Sequence, residues 1–165
     1  MKLLVATRNR HKLEEIRAIV RIPSLLLVDL SAFPGVPEVE EDGDTFQANA
    51  RKKAVETSLR TRCWTLADDS GLEVDALGGA PGVRSARYAG EPVDYAANNA
   101  KLLRELGERS DRRARFRCVI ALAEPGGEVA VLSRGDVLVF EEDHLMLEQR
   151  LANFLELFGV QRLRQ

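Results

Sequence analysis

Two adjacent aspartates, followed by a serine and a glycine, are the residues of this chain best suited to chemistry. Asp68 and Asp69 end a short apolar run, and a glycine-rich stretch over residues 77–83 follows them. Because successive side chains of a strand point to opposite faces, we expect only one of the two carboxylates to face a cleft at the strand end. A carboxylate there suits a hard divalent cation such as Mg²⁺, which shares its ligands with substrate phosphates. An ordinary Asp-Asp-Ser-Gly turn is the alternative interpretation.

A polar segment between the first predicted strand and the first predicted helix could bind an anion. It consists of Thr7, Arg8, Asn9, Arg10, His11 and Lys12. Exposed N–H groups at such a turn, together with the helix dipole, favour a phosphate, and Lys12 adds a mobile positive charge. The segment has neither the glycine pattern of a Walker A loop nor that of a dinucleotide-binding turn. The alternative is an Asn-capped helix with exposed basic residues.

An acidic cluster precedes the helix that we expect to begin near Thr45. It consists of Glu38, Glu40, Glu41 and Asp42. Acidic residues before a helix stabilise its dipole, but a cluster this dense is repulsive unless a cation offsets it. One carboxylate from this turn and one from the Asp68-Asp69 pair are therefore expected to hold Mg²⁺, with positions open for phosphate oxygens. That geometry suits metal-assisted phosphoanhydride hydrolysis.

The scaffold predicted from hydrophobic periodicity is one α/β domain with a mixed sheet over residues 1–165. Strands are expected at residues 3–6, 25–28, 64–67, 116–123 and 129–140. Helices are expected at residues 12–20, 94–106 and 144–158, and from the N-cap Thr45 to Leu59. Pro125-Gly126-Gly127 predicts a hairpin between the last two strands. Such a sheet has room for a cleft at its strand ends.

Composition limits the classes of partner. Lysine and arginine total 24 against 26 acidic residues, a formal net charge of -2, so we expect neither nucleic acid nor an anionic membrane as a partner. Cys63 and Cys118 lack CxxC spacing and lie in apolar runs, as expected for free thiols of a cytoplasmic protein. The first six residues do not develop into a signal peptide, and no segment approaches membrane-spanning length.

Four motifs follow one another along the chain: Thr7-x-Asn9-x-x-Lys12, Glu40-Glu41-x-Gly43-x-Thr45-Phe46-x-x-Asn49-Ala50, Ala67-Asp68-Asp69-Ser70-Gly71-Leu72 and Leu77-Gly78-Gly79-x-Pro81-Gly82-Val83-x-Ser85-Ala86-Arg87-Tyr88. Together they resemble the motifs of the inosine triphosphate pyrophosphatase family, also described as dITP/XTP or non-standard purine nucleoside triphosphate pyrophosphatases. The resemblance runs from residue 1 to about residue 123. It implies an elongated α/β fold with two lobes around a central cleft, a homodimer, and Mg²⁺-dependent conversion of purine nucleoside triphosphates to monophosphate and pyrophosphate.

The same resemblance implies roles for individual residues. The segment 7–12 would hold the triphosphate, and Ser70 would contact substrate. Glu40 and Asp69 would bind Mg²⁺, and Asp69 would also orient or deprotonate the attacking water. Lys12 would stabilise the transition state. The motif residues Arg87 and Tyr88 are expected to be scaffold residues.

From about residue 125 the chain departs from the family pattern. The expected Phe-Gly-Tyr-Asp-Pro segment, a downstream lysine and a Ser-His-Arg motif are absent, so half of the base pocket is unaccounted for. Natural divergence, an internal deletion and an altered reading frame remain open as origins, and His144 is given no catalytic role. Besides the enzyme, two alternatives stay open: a catalytically impaired nucleotide-binding or dimerisation module, and a phosphatase or Maf-like pyrophosphatase acting on another nucleotide.

Overall fold

The computed structural model of this protein describes residues 1–139, which form a five-stranded mixed sheet flanked by helices. The strands are β1 (Lys2–Val5), β2 (Leu26–Val28), β3 (Trp64–Val74), β4 (Ala114–Ala123) and β5 (Val129–Val139). The helices are α1 (Arg10–Ile19), α2 (Phe46–Thr61) and α3 (Tyr95–Leu106), with 3₁₀ turns at Leu30–Ala32, Asp75–Leu77 and Gly82–Arg87. The strand order is β2-β1-β3-β4-β5.

The sheet changes from parallel to antiparallel at β3. β1 pairs in parallel with β2 on one side and with β3 on the other, whereas β3, β4 and β5 are antiparallel neighbours. The predicted mixed sheet and the predicted hairpin between β4 and β5 are thus confirmed. The expected helix over residues 144–158 lies outside the described residues.

Two of the helices begin at side-chain caps, Thr45 and Asp94, of which Thr45 is the cap predicted from the sequence. Thr45 Oγ1 accepts a hydrogen bond from the N–H of Ala48 at the start of α2, at 3.1 Å. Asp94 Oδ1 accepts one from the N–H of Ala97 at the start of α3, at 3.0 Å. Each cap satisfies a backbone donor that the helix itself leaves unpaired.

The predicted end of the third strand at residue 67 was wrong, because β3 continues through the aspartates to Val74. Aspartate, serine and glycine disfavour strands when taken alone. Here β4 pairs with β3 along its length, in register from Thr65 opposite Ala123 to Val74 opposite Ala114. This long antiparallel partner overrides local propensity, so Asp68 and Asp69 lie in the middle of a strand rather than in a turn.

The two faces of the sheet carry two hydrophobic cores. Facing α2, the core contains small residues such as Ala50, Ala54 and Ala121, which bring the helix close to the sheet. Facing α1, the core contains larger residues such as Leu13 and Leu27. Along β3 the side chains alternate between these two sides. No helix within residues 1–139 is long and apolar enough to cross a membrane.

Candidate functional site

The edge of β3 that faces β1 is open over a short stretch. Pairing with β1 ends at Leu66, whose carbonyl accepts the N–H of Ala6 at 2.8 Å. The next contact on this side is at Leu72, whose N–H donates to Ser85 Oγ at 2.8 Å. Within the described residues, no strand pairs with this edge between those two points. The opening lies at the carboxyl end of β1, where sheets of this kind form ligand crevices.

The glycine-rich stretch closes the far end of the opening by packing on β3. A Cβ on Gly71 would lie 2.4 Å from the carbonyl oxygen of Gly82 and 2.5 Å from Ser85 Oγ, so only glycine fits there. Arg87 Nη2 donates to the carbonyl of Glu41 at 2.7 Å and so ties this stretch to the acidic segment. These contacts support the expected scaffold role of Arg87.

The two aspartates at the opening point to opposite faces, as strand alternation requires. On the α1 side, Asp68 Oδ2 lies 2.5 Å from Lys12 Nζ. On the α2 side, Asp69 Oδ2 accepts a hydrogen bond from Asn49 Nδ2 at 2.9 Å, and the residue is 7% exposed. Ser70, the next residue on the strand, is half-buried.

The environment of Asp69 makes its carboxylate a better proton acceptor than an exposed aspartate. Burial raises its pKa, and the negative charge of Glu41 adds to this. Hydrogen bonds from Asn49 and from the N–H of Ser70, and the charge of Lys53, oppose the shift without cancelling it. The pKa of Asp69 is therefore raised above the ordinary value. A raised pKa at a buried cleft residue is typical of a general base.

Lys12 stays charged at the opening. Burial by itself would lower its pKa, but the attraction and the hydrogen bond of Asp68 outweigh that effect and the pKa is raised. The charges of Cys118 and Glu41 act on it in the same direction. Lys12 therefore keeps its proton at neutral pH and supplies a positive charge at the site.

The rest of the segment 7–12 is largely occupied by its own local structure. Asn9 caps α1, because its Oδ1 accepts the N–H of His11 at 3.0 Å. Thr7 Oγ1 accepts the N–H of Asn9 at 3.1 Å. The Asn-capped helix, which was the alternative interpretation of this segment, is thus present. An anion can bind at the N-terminus of this helix.

The two arginines of the segment point in different directions. Arg8 Nη2 donates to the carbonyl of Val36 at 2.6 Å, and its Nε lies 3.6 Å from Glu38 Oε1. Arg10 Nε lies 3.6 Å from Glu14 Oε1, and the Arg10 side chain is 87% exposed. Arg8 therefore joins the segment to the acidic cluster, while Arg10 lies in solvent.

Lysines of α2 offset the repulsion within the acidic cluster. Lys52 Nζ lies 2.6 Å from Asp42 Oδ1, and Lys53 forms an ion pair with Glu41. The density of acidic residues therefore does not by itself require a metal ion. Of the adjacent residues Glu40 and Glu41, Glu41 is the one whose charge acts on both Asp69 and Lys12.

The predicted metal ligand Glu40 is exposed, and its charge acts on Lys52. Sequence reasoning missed Glu41, Lys53 and Asn49 as neighbours of Asp69. The spacing offered a signal for two of them, because Asn49 and Lys53 are four residues apart and lie on the face of α2 that meets the sheet. The sequence spacing does not indicate which of Glu40 and Glu41 lies nearer to Asp69.

The carboxylate oxygens at the site fit a hard cation that takes its remaining ligands from water and substrate. Within residues 1–139, no group of three or more His, Cys, Asp or Glu side chains is arranged to hold a metal ion. Asp69 and a glutamate of the acidic segment supply carboxylate oxygens alone, which suit Mg²⁺ when waters and phosphates complete its shell. A fully enclosed metal centre does not fit these residues.

A cavity of about 390 Å³ lies beyond Gly71, toward the N-terminus of α2. Its walls include Glu73, Arg117 and Arg84, and none of the residues assigned to substrate or metal lines it. Arg117 Nη1 is already paired with Glu73 Oε1 at 2.8 Å and its Nε with Asp136 Oδ1 at 2.8 Å. Two of the charges around this cavity, those of Glu73 and Arg117, are thus paired within the protein.

The fold and the site define an α/β protein with a polar crevice where its sheet changes from parallel to antiparallel. The chain belongs to the Ham1 family, whose family model matches residues 3–138. The match includes most of β5 and so continues past residue 123, where the resemblance inferred from the motifs ended. The family membership inferred from the motifs is confirmed.

Individual relatives agree with this assignment. The chain is 56% identical over 131 residues to a dITP/XTP pyrophosphatase of Desulforamulus reducens, an alignment that covers 78% of this chain and 65% of the relative. Ham1 protein of Staphylococcus aureus matches at a TM-score of 0.76 and 39% identity, covering 84% of this chain and 70% of that one. A nucleoside-triphosphatase, or dITP/XTP pyrophosphatase, of Mycobacterium abscessus matches at a TM-score of 0.73 and 42% identity, over 84% and 71%. The chain spans just under two thirds of the length of the curated relative named here.

Proposed function

We propose that this protein is a Mg²⁺-dependent nucleoside triphosphate pyrophosphatase. It hydrolyses the non-standard purine nucleotides ITP, dITP and XTP to monophosphate and pyrophosphate. The observation that carries the proposal is the high identity to a relative named dITP/XTP pyrophosphatase. The charge of Glu41 acts on both Lys12 and Asp69 beside the open edge of β3, and this supports the proposal.

The triphosphate lies against the turn before α1. Backbone N–H groups at the start of this helix and its dipole attract the phosphates. Lys12 supplies the point charge that neutralises them, and exchanges its partner Asp68 for a phosphate oxygen. The rest of the segment 7–12, together with Ser70, contacts the substrate.

Asp69 is the proton acceptor for the attacking water. The water oxygen forms a bond to the α-phosphorus, the bond between that phosphorus and the bridging oxygen breaks, and pyrophosphate leaves with the electron pair. Asp69 orients this water, and its carboxylate accepts the proton. Lys12 stabilises the charge that develops on the phosphates.

Asp69 and Glu40 are the proposed ligands of Mg²⁺, and Glu41 is the carboxylate next to them. When bound, Mg²⁺ would supply neutralisation of phosphate charge and a more acidic water. The oxygen-only donor set fits this ion. Titration of the chain with Mg²⁺ at a fixed concentration of ITP tests the requirement, since activity should be absent after chelation and return with the ion.

We expect the absent motifs to impair recognition of the purine base more than hydrolysis of the triphosphate. The residues assigned to phosphate and metal lie in segments that match the family motifs, whereas the Phe-Gly-Tyr-Asp-Pro and Ser-His-Arg motifs are absent from the sequence. We therefore expect weak discrimination between purines, or weak activity overall. A strong preference for ITP over ATP would contradict this expectation.

A homodimer and a cytoplasmic location complete the proposal. The homodimer rests on the family resemblance, and the location on the two cysteines, which form no disulfide. Light scattering on the purified chain tests the first, and fractionation of the producing cell tests the second.

Pyrophosphate release from ITP, XTP, dITP, ATP and GTP is the experiment that tests the function. Calorimetry with a nonhydrolysable triphosphate is run beside it. Release of pyrophosphate supports the enzyme, and release of orthophosphate would point to a phosphatase instead. Binding without turnover would favour the alternative, a catalytically impaired nucleotide-binding or dimerisation module on the same scaffold.

A further inference from the structure

A fully buried amide side chain lies between the two acidic segments of the proposed site. Asn49 is 1% exposed and lies on the face of α2 that otherwise presents Phe46, Ala50 and Ala54 to the sheet. It is not the cap of the helix, because Thr45 fills that position. Burying an amide costs free energy unless its polar atoms are hydrogen-bonded, so its partners explain its presence.

Both polar atoms of this amide are bonded, and the two partners differ in kind. Oδ1 accepts the backbone N–H of Gly43 at 2.7 Å, and Nδ2 donates to Asp69 Oδ2 at 2.9 Å. A backbone N–H only donates and an ionised carboxylate only accepts, so the amide has a single orientation that satisfies both. Asn49 therefore ties the acidic segment to β3 and restricts the rotation of Asp69.

The contact with Gly43 is too close for any other residue. A Cβ on Gly43 would lie 2.6 Å from Asn49 Oδ1 and 3.0 Å from the Cβ of Ala48. Gly43 follows Glu40 and Glu41 by only three and two residues. One side chain thus links these glutamates to Asp69, which accounts for both the glycine and the asparagine of the second motif.

We propose that Asn49 is a positioning residue for the divalent cation, which holds Asp69 and the Glu40-Glu41 turn at the separation at which both reach one ion. The inference rests on the proposed function and deepens it. Asn49 itself contacts neither the ion nor the substrate. Partners that orient ligating carboxylates typically change metal affinity or activity by about 10- to 100-fold when they are replaced.

Mn²⁺ binding to the full chain without nucleotide, measured by calorimetry, tests the inference apart from turnover. Asn49→Leu keeps the branching and the number of side-chain heavy atoms while it removes both hydrogen bonds. We expect the Kd for Mn²⁺ to rise by about 10- to 100-fold. The half-saturating Mg²⁺ concentration for ITP hydrolysis should rise with it, whereas the KM for ITP at saturating Mg²⁺ should not change.

Gly43→Ala tests the same link from the other side, because it leaves Asn49 in place and displaces only its partner. We expect it to weaken Mn²⁺ binding too. Circular dichroism and melting temperature establish that each variant folds. If Asn49→Leu does not fold, Gly43→Ala carries the test.

Asn98 provides a matched control. It lies four residues after the cap of α3, just as Asn49 lies four residues after the cap of α2, and it is 6% exposed. Its Nδ2 donates to the carbonyl of Ala86 at 2.8 Å, and its Oδ1 accepts the N–H of Ala89 at 2.6 Å, so it bonds backbone alone. Asn98→Leu should lower the melting temperature and leave the Kd for Mn²⁺ unchanged.

The outcomes separate this inference from the function on which it rests. If the parent chain releases pyrophosphate but Asn49→Leu and Gly43→Ala bind Mn²⁺ as tightly as the parent, the positioning role is rejected and the function stands. Equal weakening by Asn98→Leu would also reject it, since the effect would then be general destabilisation. A parent chain that neither binds Mn²⁺ nor releases pyrophosphate would overturn the function, and this inference with it.

Discussion

Asp68 and Asp69 are consecutive residues, yet their side chains leave β3 on opposite faces of the sheet. Asp68 reaches Lys12 of α1 at 2.5 Å, and Asp69 reaches Asn49 of α2 at 2.9 Å. One point on the strand thus supplies a carboxylate to each flanking helix. Asp68 holds the lysine charged at the opening, while Asp69 is kept buried and less acidic. The two residues therefore have separable effects on stability and activity.

Asp69→Asn should abolish most of the activity without loss of stability. The variant removes the proposed proton acceptor and metal ligand, and we expect kcat to fall by about 10²- to 10⁴-fold. Burial already disfavours the Asp69 charge, so a neutral amide of the same shape should leave the free energy of unfolding equal or higher. Pyrophosphate release and urea denaturation are the two measurements. Near-parental turnover would reject the assigned role.

Lys12 and Asp68 should show strong energetic coupling. Their side chains are 35% and 16% exposed, so loss of one partner leaves the other charge partly buried. We expect each of Lys12→Met and Asp68→Asn to cost about 1 to 3 kcal/mol of stability, a value reduced from that of a fully buried pair. The double variant should cost less than the sum. Strict additivity in the double-mutant cycle would mean that the pair does not form in solution.

Gly71→Ala should destabilise the protein by steric conflict. The new methyl group would meet the carbonyl of Gly82 at 2.4 Å and Ser85 Oγ at 2.5 Å, and we expect a loss of about 1 to 3 kcal/mol in the free energy of unfolding. Gly126→Ala in the β4–β5 turn is the control, because its methyl group meets nothing within 4 Å among residues 1–139. That control should stay within about 0.5 kcal/mol of the parent. Equal denaturation midpoints for the two variants would contradict the close packing of residues 82–85 on β3.

The two thiols should differ in reactivity. Burial raises the pKa of Cys118 to about 12, with the charge of Asp68 adding to the shift, whereas Cys63 is half-buried. Only the thiolate reacts, so Cys63→Ser should label slowly with a disulfide reagent at pH 8, and Cys118→Ser should label readily. In denaturant both should label at similar rates. Rapid labelling of folded Cys63→Ser would show that Cys118 is accessible.

The same shift predicts a loss of stability in alkali. The folded state holds the Cys118 proton more tightly than the unfolded state, whose thiol has a pKa near 9. As pH rises from about 9 toward 12, the unfolded chain binds fewer protons, so the free energy of unfolding falls over that window. Cys118→Ser should remove this part of the pH dependence in urea denaturation, and an unchanged profile would contradict the burial of the thiol.

The general arrangement could be predicted from the sequence because local signals and tertiary structure agree there. The caps Thr45 and Asp94 and the turn at residues 125–127 specify their own hydrogen bonds or backbone shapes. β3 is different, since its second half is a strand only because β4 pairs with it over residues 65–74. Local propensity contains no information on a partner almost fifty residues away.

Within the site, the sequence indicated the acidic segments but not the contacts between them. Asp69 and Lys12 lie at the opening as expected. Glu41 could not be distinguished from Glu40, because adjacent loop residues have no fixed periodicity and only the contacts with Lys53 and Arg87 set their directions. Helical spacing places Asn49 on the face of α2 that meets the sheet, but it does not identify the residue, 20 positions away, to which its amide donates.

The proposed pyrophosphatase activity is best tested by following the products formed from ITP in the presence of Mg²⁺ by ³¹P NMR. We expect equimolar IMP and pyrophosphate from the parent chain, with almost none from Asp69→Asn under the same conditions. Release of orthophosphate with IDP, or equal product from parent and variant, would contradict it.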